Sequence, residues 1–145
     1  MSFTSKQDFL ARVQSKLIAP DVQLEAAFNP DLAGGEMLDP DLSPERLKPA
    51  AVLMGLIERD GDYDVVFTER PKTMTSHAGQ VAFPGGKIDL QDESAAAAAV
   101  REAEEEIGLP RQDVRLLGQA QPYRTNSGYL VSLFVGELPS DFKPE

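Results

Sequence analysis

A chain of 145 residues, 41% apolar and 26% charged, has the size and make-up of one globular domain able to bury about 70% of its unfolded surface, which excludes disordered, collagen-like and coiled-coil chains. The absence of cysteine and a single histidine, His77, exclude a disulfide scaffold, a thiol nucleophile and zinc centres built from Cys or several His. A net charge of -10, from 24 acidic and 14 basic residues, argues against nucleic acid or an anionic membrane as partner.

In chain order, Thr4 and Gln7 have the spacing of a capping box, and Phe9, Val13 and Leu17, with Leu10 beside them, form one stripe of an amphipathic helix expected to pack on the body of the domain. Residues Met1 to Leu17 carry neither an apolar h-region nor a small-residue cleavage site, and no apolar run approaches the about 20 residues of a bilayer span, so a soluble cytoplasmic protein is expected. Pro20, Pro30, Pro40, Pro44 and Pro49, with Gly34-Gly35, punctuate an irregular lead-in over residues 1–49 rather than a second domain.

From Ala50 the pattern becomes strands and turns. Ala51 to Glu58, the turn signal Asp60-Gly61 and Tyr63 to Thr68 predict a hairpin. Gln80 to Phe83 predicts a short strand ending at Pro84-Gly85-Gly86, and Glu93 to Ile107 a helix closed by Gly108-Leu109-Pro110. The alanines from Ala95 to Ala99 predict a close helix-to-sheet contact. Val114 to Ala120 and Gly128 to Leu138 are further strands, joined through the loop around Tyr123, Arg124 and Asn126. The order β, β, β, α, β, β implies an α+β fold with a mixed sheet and a helix packed on it.

On the predicted helix Glu102, Glu105 and Glu106 stand at i, i+3 and i+4, so their carboxylates share one face, while Glu104 points elsewhere. Uncompensated, the cluster costs helix stability; a divalent cation reverses that. Oxygen ligands without Cys or His beside them select Mg2+ or Mn2+ over zinc. An acidic solvated face explains the same spacing. The preceding Phe83-Pro84-Gly85-Gly86 favours the metal, because glycines between strand and helix let backbone groups approach a ligand or metal closely. Arg101 adjoins the first acid, and Glu93 lies eight residues earlier, so an Arg-to-Glu bridge could fix the base of the helix against the loop.

The run Glu93, seven residues, then Arg101-Glu102-Ala103-Glu104-Glu105-Glu106-Ile107-Gly108-Leu109 resembles the Nudix hydrolase signature G-x5-E-x7-R-E-U-x-E-E-x-G-U, U being apolar, and fills every fixed position from the first Glu onward. The departure is that six residues, not five, separate Gly86 from Glu93, with Lys87 at the Gly position, as one inserted loop residue produces. Phe67-Thr68-Glu69-Arg70 and Ser76-His77-Ala78-Gly79-Gln80-Val81-Ala82-Phe83-Pro84-Gly85-Gly86-Lys87 resemble the extra signature of the coenzyme A pyrophosphatase branch, whose members also tend to carry the inserted residue. An Arg often found there two positions before the His is Thr75 here. The resemblance runs from about Ala50 to Gly136.

This resemblance implies a Nudix-type α/β/α sandwich over residues 50–145. Such folds usually add a C-terminal helix, whereas Pro139 to Glu145 is a polar tail, so the expectation is a domain shortened at its C-terminus or completed by a partner chain, for instance in a homodimer. The implied activity is metal-dependent hydrolysis of the diphosphate of coenzyme A or its derivatives, giving 3',5'-ADP and 4'-phosphopantetheine. Alternatives are a Nudix hydrolase of ADP-ribose or another nucleoside diphosphate derivative, and a non-catalytic nucleotide-sensing module; sensors can lose the helix carboxylates, and all are retained here.

By matching positions Glu102, Glu105 and Glu106 are the expected metal ligands, with the Gly86 carbonyl as a fourth contributor to an Mg2+ or Mn2+ site. Arg101 and Glu93 join them in the candidate catalytic set as orienting residues. The general base is open between Glu102 and later acids, of which Glu137, Asp141 and Glu145 follow the last strand pair. Candidate substrate-binding residues are Arg70, Lys72 and Lys87 for phosphate, Arg124 in the strand connection, and His77, which either contacts substrate or, as favoured, holds its loop by hydrogen bonding.

Overall fold

The computed structural model describes residues 6–20, 47–69, 79, 81–125 and 128–144. Thr4 and most of the proline-punctuated lead-in therefore lie outside the described residues.

The centre of the fold is a parallel pair, β1 (Lys48–Arg59) and β8 (Tyr129–Leu138), in register from Lys48↔Tyr129 to Ile57↔Leu138. Both are covered on two faces, which is why the run from Ala50 to Ile57 reads as almost continuously apolar instead of alternating. The outer edge of each long strand is shared by two short antiparallel strands. Beside β1 lie β2 (Asp62–Val66) and β5 (Gly85–Lys87); beside β8 lie β6 (Arg115–Gln119) and β7 (Tyr123–Arg124). The sheet is mixed, as the element order implies. A separate two-stranded ribbon pairs β3 (Thr68–Glu69) with β4 (Val81–Ala82).

The predicted hairpin forms at Asp60-Gly61, both with positive φ (52° and 86°), the backbone that a two-residue turn needs to match strand twist. The first strand starts earlier than expected: Pro49 lies inside β1, where its carbonyl accepts from the Ile88 N–H at 3.1 Å. Near a strand end the missing proline N–H costs no ladder bond. Two further differences concern β5 and β7. Gly85-Gly86 and Tyr123-Arg124, read as loops, are ladder-bonded strands, because an adjoining long strand supplies partners that local sequence does not reveal.

Helix α2 (Ala95–Ile107) covers one face of the sheet. Ser94 caps it, its hydroxyl accepting from the Ala97 N–H at 3.0 Å, so the helix begins two residues after the predicted start at Glu93. It ends at Gly108, whose φ of 72° closes the last turn with an N–H bond to the Glu104 carbonyl. Ala98, Ala99 and Ala103 are fully buried against Ala51, Leu53, Ile57 and Phe134, the close contact expected of the alanine run.

Helix α1 (Lys6–Lys16) covers the opposite face, where Leu10, with Phe9, Val13 and Leu17, packs on Leu56, Leu117 and Val135. The two helices and the sheet make an α/β/α sandwich. Beyond α1 the chain is tied to β6. Ile18 and Gln119 exchange backbone hydrogen bonds of 2.8 and 2.7 Å, and the buried Gln119 amide donates to the Ala19 carbonyl at 2.8 Å. Among the described residues no helix is long and apolar enough to cross a membrane.

Candidate functional site

The site lies where β5 meets the flank of α2. Turning its alanines to the sheet leaves α2 with Glu102, Glu105 and Glu106 along one edge, Glu102 and Glu106 meeting the glycines of β5. The Gly85 N–H donates to Glu106 Oε2 at 3.4 Å. A β-carbon at Gly86 would lie 2.8 Å from Glu102 Oε1, and one at Gly85 would lie 2.4 Å from the Ala51 carbonyl oxygen. At Gly85 backbone leaves no room for a side chain, and at Gly86 a side chain would occupy the place of the Glu102 carboxylate, so the glycine pair is what lets strand and acidic helix close on each other as they do.

Arg101 organises the acids. Its Nε donates to Asp92 Oδ1 at 2.8 Å and its Nη2 to Asp92 Oδ2 at 3.0 Å. Nη2 also reaches the Lys87 carbonyl and Asp89, each at 3.4 Å. Nη1 faces Glu102 Oε1 at 3.2 Å and the Glu105 carboxylate at 3.3 Å. The paired guanidinium holds the Asp92 carboxyl below its usual range, chiefly through the side-chain hydrogen bond, and the same bond raises the Arg101 pKa. Glu104 turns away, as its helical phase requires. It accepts from the Arg111 backbone N–H at 3.1 Å and from Nε at 2.9 Å, and these bonds lower its pKa.

Several expected site residues meet here: Gly86, Arg101, Glu102, Glu105 and Glu106. Glu93 does not join them. The bridge from Arg101 falls on Asp92, one residue earlier, and Glu93 is exposed beside the cap. Lys87 supplies its carbonyl, but its side chain leaves β5 on the face opposite Gly86, with Nζ 6.0 Å from the Tyr129 ring centroid. Arg124 sits on β7, at the far edge of the sheet. Its pairing with Leu130, and that of Leu130 with Pro49, puts it three strand spacings, about 14 Å, from the β5 edge. Glu137 is about 17 Å farther along the sheet than the Gly86 level, beside Arg115 at 3.6 Å. Arg70, Lys72, His77, Asn126 and Glu145 lie outside the described residues. Asp92 and Asp89 were missed by the sequence reading, because Glu93 fills the acid position of the signature and no local signal separates it from Asp92.

Among the described residues no group of three or more His, Cys, Asp or Glu side chains is gathered as a metal-holding set. Glu102 and Glu105 turn to Arg101, and Glu106 to the Gly85 N–H. The donor chemistry still suits a hard cation: three carboxylates from one helix edge, no soft ligand, and beside Glu102 a position that a β-carbon would fill.

Residues 46–145 match the NUDIX domain family. The chain is 48% identical over 100 residues to an uncharacterized Nudix hydrolase, NudL, of Photorhabdus laumondii, a match covering 66% of this chain and 53% of that protein. With the protein of the same description in Escherichia coli strain K12 it shares 42% identity over 108 residues, covering 73% and 56% of the two chains. The chain thus spans about half the length of the curated relatives it matches. Among solved structures it resembles RenU, a Nudix hydrolase from M. smegmatis (TM-score 0.53, 21% identity, 68% of this chain and 64% of that one). It also resembles a C. elegans Ap4A hydrolase binary complex (TM-score 0.57, 17% identity, 66% and 70%). At these identities the likeness is one of fold.

Proposed function

This chain belongs to the NUDIX family, and from that premise we propose that it is a metal-dependent cytoplasmic pyrophosphohydrolase cleaving the diphosphate of coenzyme A or its derivatives into 3',5'-ADP and 4'-phosphopantetheine. The observation that carries the reading is the closure of the acidic edge of α2 on Gly85-Gly86, which sets the Glu102 and Glu106 carboxylates against a backbone that no side chain screens.

Glu102, Glu105 and Glu106 would hold Mg2+ or Mn2+, with the Gly86 carbonyl beside them. Bound there, the cation would supply Lewis-acid polarisation of phosphate oxygens and offset their charge. The chain itself needs that contribution: at a net charge of -10 it repels a diphosphate. Its own residues orient and exclude. Arg101 steers Glu102 and Glu105, and the Gly85 N–H fixes Glu106. One of these carboxylates takes a proton from the attacking water. The choice of coenzyme A rests on the resemblance carried by Phe67 to Arg70 and Ser76 to Lys87.

The test is product analysis by mass spectrometry after incubation with Mg2+ or Mn2+ and, separately, coenzyme A, ADP-ribose, NADH and a diadenosine polyphosphate. Metal-dependent release of 3',5'-ADP from coenzyme A alone is expected. Cleavage of ADP-ribose or another substrate instead would keep the chemistry and discard the substrate. Binding without cleavage of any would favour a nucleotide-sensing module.

A further inference from the structure

Resting on the metal reading above, we infer that Asp92 is the positioning residue of this site: it grips one edge of the Arg101 guanidinium so that the other edge orients Glu102 and Glu105. A guanidinium presents five N–H donors in a rigid plane, so fixing two of them fixes the direction of the rest. Asp92 takes Nε and Nη2 at 2.8 and 3.0 Å, a bidentate pair and the shortest contacts Arg101 makes. What remains is Nη1, which lies 3.2 Å from Glu102 Oε1 and 3.3 Å from Glu105 Oε2.

Asp92 is itself held. Its side chain is only 6% exposed, its Oδ2 accepts from the Asp89 N–H at 2.8 Å, and its own N–H donates to the Asp89 carbonyl at 3.0 Å. It is a rigid part of the turn between β5 and α2. Glu93, next in sequence, is exposed and receives none of the Arg101 bonds. Six residues, not five, separate Gly86 from Glu93, and in this turn it is the earlier acid that meets Arg101.

The consequence is specific. Held by Asp92, Arg101 spends one N–H corner on two carboxylates and leaves Glu102 Oε2 outside its contacts. Released, its fork is free to pair bidentately with Glu102 or Glu105 and so to compete with a cation for them.

The experiment measures Mn2+ affinity of this chain by the electron paramagnetic resonance signal of free Mn2+, for the parent, Asp92→Asn, Glu93→Gln, Arg101→Gln and the double variant Asp92→Asn/Arg101→Gln, with folding checked by circular dichroism. Asp92→Asn is expected to weaken Mn2+ binding by about tenfold or more. Glu93→Gln is expected to lose clearly less. In the Arg101→Gln background the Asp92→Asn loss should shrink to about twofold or less, because nothing is left to be released. Turnover of Asp92→Asn on coenzyme A should recover as Mn2+ is raised, which a merely structural defect would not do. An Asp92→Asn affinity equal to the parent's, a Glu93→Gln loss as large, or an undiminished loss in the double variant would each overturn the inference while leaving the metal reading intact. Should Asp92→Asn fail to fold, Asp92→Glu is read in its place: its carboxylate is one methylene longer and displaces the bidentate grip on Arg101, so it should bind Mn2+ more weakly than Glu93→Gln, and the reverse order overturns the inference. A parent chain that binds no Mn2+ overturns the metal reading and the inference with it.

Discussion

Gly86 and Glu102 approach so closely that a β-carbon on residue 86 would stand 2.8 Å from Glu102 Oε1 and 2.9 Å from its Cδ. The obstructing group is the tip of a flexible side chain, which can swing aside. Gly86→Ala is therefore expected to fold with little change in Tm while losing about tenfold or more in turnover, since the displaced carboxylate is one of the expected metal ligands. Thermal denaturation alongside steady-state kinetics separates the two effects. Wild-type turnover would show that Glu102 has no need of its observed place.

The neighbouring glycine predicts the opposite split. At Gly85 the added carbon would meet backbone, 2.4 Å from the Ala51 carbonyl and 2.7 Å from the Val52 Cα, and backbone of a central strand cannot move aside. Gly85→Ala is expected to cost about 1–3 kcal/mol of stability, measured by urea unfolding. An unchanged midpoint would contradict the pairing of β5 with β1.

Glu105 has a side chain 58% exposed, so replacing it by an isosteric amide should leave the fold alone. Glu105→Gln is expected to lower turnover by about two orders of magnitude or more, because a neutral amide is a poor ligand for a hard cation. Unaltered kcat at unaltered Tm would remove Glu105 from the site.

Relief of repulsion among the helix carboxylates by metal predicts a linkage. Raising Mg2+ to about 100 times its dissociation constant should stabilise the chain by about 2.7 kcal/mol, and a chelator should reverse the gain. The readout is Tm against Mg2+ concentration. If Glu105→Gln shows the same dependence as the parent, the cation binds elsewhere.

Leu10 anchors α1 on the sheet through Leu56, Leu117 and Val135. Leu10→Ala is expected to cost about 2–3 kcal/mol, placing α1 within the cooperative unit. Urea unfolding followed by circular dichroism checks it; a loss confined to helix signal at low urea would show that α1 melts independently.

Much of this was legible from local order alone. The apolar stripe of α1, the Asp60-Gly61 turn, the presence of α2 with its stop at Gly108 and the shared edge of Glu102, Glu105 and Glu106 follow from periodicity, turn chemistry and helical phase, which act over a few residues. Other features depend on what lies beside a segment, and no local signal carries that. Gly85-Gly86 became a strand because β1 offered it partners, and Tyr123-Arg124 because β8 did. The parity of that pairing sent the Lys87 side chain to the face away from α2, and the register placed Arg124 across the sheet. The choice of Asp92 over Glu93 was decided in the same way. Both are acids within a residue of each other, and only the path of the chain from β5 into α2 determines which carboxylate is turned inward to meet the two-pronged edge of Arg101.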